Sequence, residues 1–304
     1  MVLNRVAVTG ASGMVGRHLL PLLAARGIAA AATSRSRPQR VTEDSAWASW
    51  DLTEWRTPAE LDVLFGPVDA LFHLGASVPT AGKKLDDANL INANVRACRC
   101  LANWAVARGV PLIFLSGAIV YGPGRDAFAE TAPRSTVPEA GLYGLSKVLA
   151  EQVLENLVPA GLKLSCLRAT SIYGAGMDDV KMMPTMLRRA QAGETIMIEP
   201  PYDDMINLVH AADVARAMML AAEREAGGVF NVAGPELVAI RAIADACVAA
   251  AGTGKVVIAD ASTDVRPPIV RYNVEARRAE EILGFVPEIG LIDGLTRMLS
   301  NRLT

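Results

Sequence analysis

Short, uniformly apolar runs alternate with longer amphipathic stretches over the first two-thirds of the chain. The runs Arg5–Thr9, Ile28–Thr33, Val68–His73, Leu112–Leu115 and Lys163–Arg168 are apolar nearly throughout, which predicts strands buried on both faces. Between them, Met14–Arg26, Pro58–Phe65, Asn89–Arg108 and Tyr143–Leu157 carry the wider spacing of helices. Strands separated by helices predict an α/β fold with a doubly wound parallel sheet.

The last third differs. Strand runs are sparser (Thr195–Ile198, Asn207–Val209, Val229–Val232, Val256–Ile258), and helical stretches lie near Asp179–Ala192, Ala211–Glu223, Ile240–Ala251, Val274–Leu283 and Leu291–Leu299. Asn207–Val209 and Val229–Val232 flank a helix and are expected to return to the first sheet. This gives a cofactor-type domain over residues 1–174 joined by 205–234. Residues 175–204 and 235–304 are left as a smaller α/β substrate lobe.

Composition narrows the classes. With 304 residues and 51% hydrophobic residues, one large domain or two lobes can bury a core without staples. A net charge of −2 and the lack of a basic block argue against nucleic acid as partner. The four cysteines, Cys98, Cys100, Cys166 and Cys247, form no CxxC pair, which fits a reducing, cytoplasmic setting and no zinc ribbon. Leu19–Ala32 resembles a signal core, but Pro21, Arg26 and Gly27 interrupt it, and no apolar run of about 18 residues implies a membrane span. His18, His73 and His210 lie too far apart in sequence to suggest a metal site; His73 reads as a hydrogen-bonded core residue and His210 as a helix orienter.

The first strand runs into Gly10-Ala11-Ser12-Gly13-Met14-Val15-Gly16, and a helix follows. Glycines at this spacing permit a tight turn, close backbone approach to a pyrophosphate, and close helix–strand packing. The position that selects the adenosine ribose, about 20 residues on, reads Thr33-Ser34-Arg35-Ser36-Arg37. No carboxylate is present to accept a 2′-hydroxyl, whereas Arg35 and Arg37, with Ser34, suit a 2′-phosphate. NADP is therefore expected, with NAD as the alternative. Asp51-Leu52 follows a third short segment, where Asp51 can hold the adenine amino group.

Tyr143 and Lys147 stand four residues apart on one helix face. An ammonium near a phenol lowers its pKa from about 10, giving a general acid or base for an alcohol or carbonyl.

These motifs, in order, identify the chain as a member of the extended short-chain dehydrogenases/reductases, the NAD(P)-dependent epimerase/dehydratase family. The matching segments are TGASGMVG (9–16), DL (51–52), HLGA (73–76), NV (94–95), LSGAIVYG (115–122), YGLSK (143–147), LRATSIYG (167–174), HAADVAR (210–216) and LGFVP (283–287). The resemblance implies Tyr143 as acid/base, with Lys147 also holding the nicotinamide ribose. It further implies that Leu74, Gly75, Ala76 and Asn94 serve the cofactor, and that the chain forms a homodimer through Asn89–Arg108 and Tyr143–Leu157.

Several positions depart from the family. A Ser or Thr is expected four residues before Tyr121, where Gly117 stands. Either Ser116 is presented by a bent backbone, another hydroxyl substitutes, or catalysis is weakened. Ala118 and Ile119 lack the carboxylates of the 4,6-dehydratases. Ser171 and Ile206 replace an Asn and an Arg expected for a nucleotide diphosphate, while Arg266 remains either as a substrate cation or as a surface ion-pair residue. Met182, Met183, Met186 and Met197 suit an apolar pocket or plain core. The implied function is hydride transfer at a hydroxyl or keto carbon of a nucleotide sugar, as an epimerase or 4-ketoreductase. Alternatives are a reductase of a small non-nucleotide ketone and a non-catalytic NADP-binding sensor.

Overall fold

The computed structural model describes residues 1–36, 45–79, 86–122, 124, 126–135, 141–259 and 268–300. Its strands are β1 (Arg5–Thr9), β2 (Ala29–Ser34), β3 (Ser45–Ser49), β4 (Ala70–His73), β5 (Leu112–Gly117), β6 (Leu164–Ala169) and β7 (Ser171–Tyr173). They continue with β8 (Thr195–Ile198), β9 (Met205–His210), β10 (Gly228–Val232), β11 (Leu237–Ala239), β12 (Lys255–Ile258) and β13 (Val270–Arg271). The helices are α1 (Met14–Ala25), α2 (Pro58–Phe65), α3 (Asp87–Ile91), α4 (Ala97–Arg108), α5 (Gly141–Glu155), α6 (Met182–Gln191), α7 (Ala211–Glu223), α8 (Ile240–Ala251) and α9 (Leu291–Ser300). A π-helical turn, Asn92–Arg96, joins α3 to α4.

Seven parallel strands form one sheet in the order β10-β6-β5-β4-β1-β2-β3. β1 pairs with β2 on one side and β4 on the other, so the winding reverses there. Such a reversal leaves a crevice beyond the C-terminal strand ends. One face packs against α1 and α7 through Leu19, Leu23, Val214 and Met218; the other packs against α2, α4 and α5 through Phe65, Leu101, Trp104 and Leu154. Burial on both faces explains why these strands read as unbroken apolar runs.

The C-terminal part holds a second sheet, β11-β9-β13 with β7 also on β9, and a separate parallel pair, β8 with β12. Val229–Val232 does join the large sheet, beside β6. Asn207–Val209 does not: it pairs with β7 and β11 in the small sheet, where β13 joins the preceding residues of β9. The helix expected over Val274–Leu283 shortens to a π-helical turn at Ala279–Leu283, because Val274 is drawn into an extended bridge with Phe128. β3 was not foreseen, since SAWAS carries no continuous apolar run. The tryptophans near it form no single cluster: Trp50 packs against Phe65, Trp47 joins the core on the opposite face, and Trp55 lies under Arg96.

A buried ion pair fastens α5 to the sheet. Glu151 and Arg168 are 1% and 2% exposed, with Arg168 Nη2 at 2.7 Å from Glu151 Oε2. Ser116 and Arg134 also donate to this carboxylate, at 2.5 and 3.0 Å. Arg168 Nη1 donates to Tyr121 Oη at 2.7 Å, and Tyr121 in turn donates to Asn231 of β10 at 2.8 Å. Burial alone would raise the Glu151 pKa, but Arg168, Ser116 and Arg134 outweigh it and hold the carboxyl below its ordinary value.

Removing one partner leaves the other charge buried and short of its strongest partner, with Arg134 and Ser116 compensating Glu151 only in part. Arg168→Leu should cost about 3–5 kcal/mol of stability, and Arg168→Leu/Glu151→Leu distinctly less. Urea denaturation of the two variants measures the difference, and equal losses would contradict the coupling.

Candidate functional site

At the winding reversal the loop between β1 and α1 meets the loop after β4. Gly10 adopts φ +68°, and a Cβ there would collide with the Gly75 backbone. Gly16 is fixed differently, since its Cβ would strike the Ala11 carbonyl and push α1 off the strand. The N-cap of α1, Gly13, makes no side-chain hydrogen bond and the first turn is free of carboxylates. Its N–H groups therefore face the crevice unopposed, as anion binding requires.

A cavity of about 400 Å³ opens over this loop. It brings together Gly10, Ser12, Gly13, Met14, Val15, Gly16, Ser34, Arg35, Asp51, Leu52, Leu74, Gly75 and Ala76, all read from the sequence, and it ends at Leu115 of β5. Trp50, Thr53, Ser77, Val78, Asn89 and Ala93 also line it and were missed, because they carry no motif of their own. The Arg35 side chain is exposed and makes no ion pair among the described residues. Ser34 is buried and donates to the Ser36 carbonyl at 2.6 Å, and among the described residues Arg35 is the accessible cation at this strand end. Asp51 Oδ1 caps its own turn, accepting from Thr53 N and Oγ1 at 2.9 Å each, and its Oδ2 remains for a ligand. Arg37 and Arg266 lie outside the described residues. The donors, the glycine approach and the absence of carboxylates at the loop fit a dinucleotide.

Tyr143 and Lys147 occupy the first two turns of α5. Lys147 is buried; its Nζ donates to the Leu115 carbonyl at 3.0 Å and lies 5.1 Å from the Phe114 ring centre. The expected lowering of the phenol by this ammonium is not what the geometry produces. Burial pushes the Tyr143 phenol up to about 12, and burial also lowers Lys147. Ser116 does not supply the hydroxyl missing at Gly117, since its Oγ is turned inward onto Glu151. A side chain at 117 would nevertheless fit: the nearest atoms to a Cβ there belong to Ile119 and Ala169, at 3.6 and 3.7 Å.

Asn94 sits in the π-helical turn, a feature that recurs at functional sites. Its side chain clamps the loop after β4. Oδ1 accepts from Ser77 N at 2.6 Å, while Nδ2 donates to Ser77 O at 2.9 Å and Ser146 Oγ at 3.0 Å. Ser146 passes the contact on, donating to the Tyr143 carbonyl at 2.7 Å. The cavity loop and the tyrosine helix are thereby tied together.

His73 is the hydrogen-bonded core residue expected. Its Nδ1 meets Thr9 Oγ1 at 2.6 Å and its Nε2 meets Cys98 Sγ at 3.2 Å; Cys98 donates to the Asn94 carbonyl at 3.0 Å. That donation makes the sulfur the acceptor for His73, which places the ring proton on Nε2. His210 caps α7, accepting from Ala212 N. Among the described residues no group of three or more His, Cys, Asp or Glu is placed to hold a metal. No helix there is long and apolar enough to cross a membrane.

In the lobe, Ser171 and Ile206 are half-buried on β7 and β9. Arg271 pairs with Asp204 at 3.2 Å. Met183 is core and Met186 packs against that core, whereas Met182 and Met197 are exposed, so the methionines do not line one pocket.

Residues 6–233 match the profile of the NAD dependent epimerase/dehydratase family. The chain belongs to that family. Among its family relatives, a dTDP-4-dehydro-6-deoxy-D-allose reductase from a Streptomyces species is 29% identical over 301 residues, covering 93% of this chain and 91% of the relative. A 4-hydroxy-2-methyl-3-oxo-4-farnesyl-3,4-dihydroquinoline-1-oxide ketoreductase from Stigmatella aurantiaca is 30% identical over 74% of this chain and 66% of its own. The solved structure of MoeE5 with UDP-glucuronic acid and NAD is similar over 99% of both chains, with a TM-score of 0.81 and 26% identity. This epimerase/dehydratase-family chain is thus an NAD(P)-dependent oxidoreductase or isomerase on an α/β scaffold.

Burial holds the His73 and His210 pKa values down, to about 3 and about 4, from 6.5. In the unfolded chain both imidazoles take up protons below about 6.5, while the folded protein resists until far lower pH. Their contribution is therefore complete above pH 6.5 and is lost as pH falls toward 4 and then 3. Stability followed by denaturation between pH 7 and 4 should drop, with a shallower slope in His210→Asn.

Proposed function

We propose that this chain is an NADPH-linked reductase of a keto group, with a 4-keto nucleotide sugar as substrate. The observation that carries the reading is that the cavity reaches Leu115, whose carbonyl accepts from Lys147 Nζ at 3.0 Å, one turn from Tyr143 on α5. Arg35 is the exposed cation at the ribose-selecting strand end, which favours a 2′-phosphate. The reduced cofactor would supply hydride to the carbonyl carbon. Tyr143, protonated at neutral pH, gives its phenolic proton to the carbonyl oxygen, so ketone, hydride and proton balance to an alcohol. A phenol held protonated serves reduction directly, whereas alcohol oxidation would first require it to ionise. Lys147 orients the cofactor ribose, and the Asn94–Ser146 clamp keeps Tyr143 in register with the loop at Ser77. The Streptomyces reductase supports the substrate class. The Arg271–Asp204 pair, which neutralises a cation of the lobe, favours a less charged ketone as the second reading.

Titrating the free protein with NADPH and NADH tests the cofactor. NADPH should bind more tightly, and Arg35→Ala should weaken it about 10–100-fold while sparing NADH, in line with a charge-assisted hydrogen bond. Tighter binding of NADH would overturn the assignment. Turnover is read with NADPH on dTDP-, UDP- and GDP-linked 4-keto sugars and on an apolar ketone. Tyr143→Phe should lose about 10²–10⁴ in kcat on any ketone accepted, and undiminished rates would remove Tyr143 from the chemistry. Gly117→Ser should raise kcat if a hydroxyl at that strand end assists the carbonyl; a folded variant with no gain would show that the site works without it.

A further inference from the structure

The large sheet carries a second cavity at its other edge. About 380 Å³ in volume, it lies where the parallel strands β5, β6 and β10 begin, opposite the strand ends that frame the first cavity. It reaches from Glu155 and Val158, at and just beyond the end of α5, across the strand starts to Ala221 and Ala222 near the end of α7. Its volume falls in the range of about 300–1,000 Å³ in which small molecules are held. The reduction proposed above makes no use of it.

The walls are apolar, with Ile113, Leu164, Ala221 and Ala222 all buried. The space exists because small residues stand around it. Ala221 and Ala222 reach little way from the helix, and Gly228 holds φ +113°, a conformation in which a side chain is strained. An empty apolar hollow forfeits the contacts of its own lining, so an apolar occupant gains by entering.

The charged groups around the cavity differ in what they already hold. Glu155 accepts from Arg134 Nη1 and Nη2 at 2.6 and 2.9 Å, and Glu225 faces the N-terminal ammonium at 3.7 Å. Lys163 also lines the cavity and is exposed, and among the described residues its ammonium has neither an ion pair nor a hydrogen bond. The backbone amides of Lys163 and Gly227 likewise have no acceptor there, because β6 and β10 begin one residue later. Three donors at an apolar cavity are left without a protein partner.

We infer that this cavity binds a medium-chain aliphatic monocarboxylate. Its hydrocarbon body lies along Ile113 and Leu164, and its carboxylate meets Lys163 and the free amides. A carboxylate accepts from several donors at once, and its charge matches the unpaired ammonium. A second negative charge on the ligand would face Glu155 and Glu225, so a phosphate or a dicarboxylate is disfavoured. A neutral ligand would fill the hollow and leave the donors unanswered.

Decanoate, decanol and sebacate (the dicarboxylate of equal length) are titrated by calorimetry into the wild type, Lys163→Gln, Lys163→Arg and Val158→Glu. Decanoate should bind at least tenfold more tightly than either of the other two, and its affinity should fall as salt is raised. Lys163→Gln should weaken it about tenfold, the worth of a charge-assisted hydrogen bond at an exposed group. Lys163→Arg should keep most of the affinity, and Val158→Glu should lower it by repulsion. Lys163 and Val158 are both exposed, so the variants should melt as the wild type does. A saturating dinucleotide should leave decanoate binding unchanged, which separates this site from the cofactor cavity. No binding of decanoate at millimolar concentration, equal binding of decanol, unchanged affinity in Lys163→Gln, or displacement by the dinucleotide would each overturn the assignment. So would a change in sedimentation on adding decanoate, since the cavity would then seat a second copy of the chain.

Discussion

The Glu151–Arg168 ion pair is the contact on which the working arrangement depends. It is buried between α5 and the end of β6, and it draws Ser116 of β5 and Arg134 into the same cluster. Through Tyr121 it extends to Asn231 on β10. A helix docked only by apolar contacts can slide along a sheet at modest cost, because such contacts are not directional. A carboxylate gripped by two guanidinium groups and a hydroxyl cannot, since any shift leaves a buried charge short of partners. The pair therefore sets where Tyr143 and Lys147 stand, two turns and one turn earlier on the same helix. It also has a chemical consequence: the hydroxyl closest in sequence to Gly117 is committed to structure.

The second constraint is the contact between two backbones at the winding reversal. Gly10 and Gly75 approach so closely that a Cβ on Gly10 would overlap the Gly75 backbone, while a Cβ on Gly75 would strike the Leu52 side chain. Their approach forms the floor of the dinucleotide cavity and leaves the α1 N-terminus facing open space. The cavity loop is then carried to the tyrosine helix by a chain of polar contacts, Ser77 to Asn94 to Ser146 to the Tyr143 carbonyl. His73 and Cys98 brace the same turn from beneath. The cavity loop and the Tyr143 end of α5 are thus mechanically coupled.

Much of this was legible in the chain. Unbroken apolar runs marked β1, β2, β4, β5 and β6, because a strand covered on both faces has no polar side to show. The glycine spacing marked the tight loop between β1 and α1, since only a residue without Cβ fits at Gly10 and Gly16. β3 and β9 were harder. SAWAS carries no apolar run, and whether Asn207–Val209 joins one sheet or another depends on partners far away in sequence. The same limit applied to Val274, whose extended bridge to Phe128 replaced a locally plausible helix.

By itself the sequence determined the α/β class, the order of the main elements, the glycine turn between β1 and α1 and the tyrosine–lysine spacing. Each of these follows from local periodicity or from a residue type that a backbone conformation demands. Only the tertiary structure decided what the individual side chains do. Burial reversed the expected direction of the Tyr143 pKa, a distant carboxylate claimed Ser116, and Asn94 became a clamp between the loop after β4 and α5. The fold also opened a second cavity at the strand starts. Charge, solvation and hydrogen-bond satisfaction are set by groups that meet across the fold, so they appear only once those groups are in place.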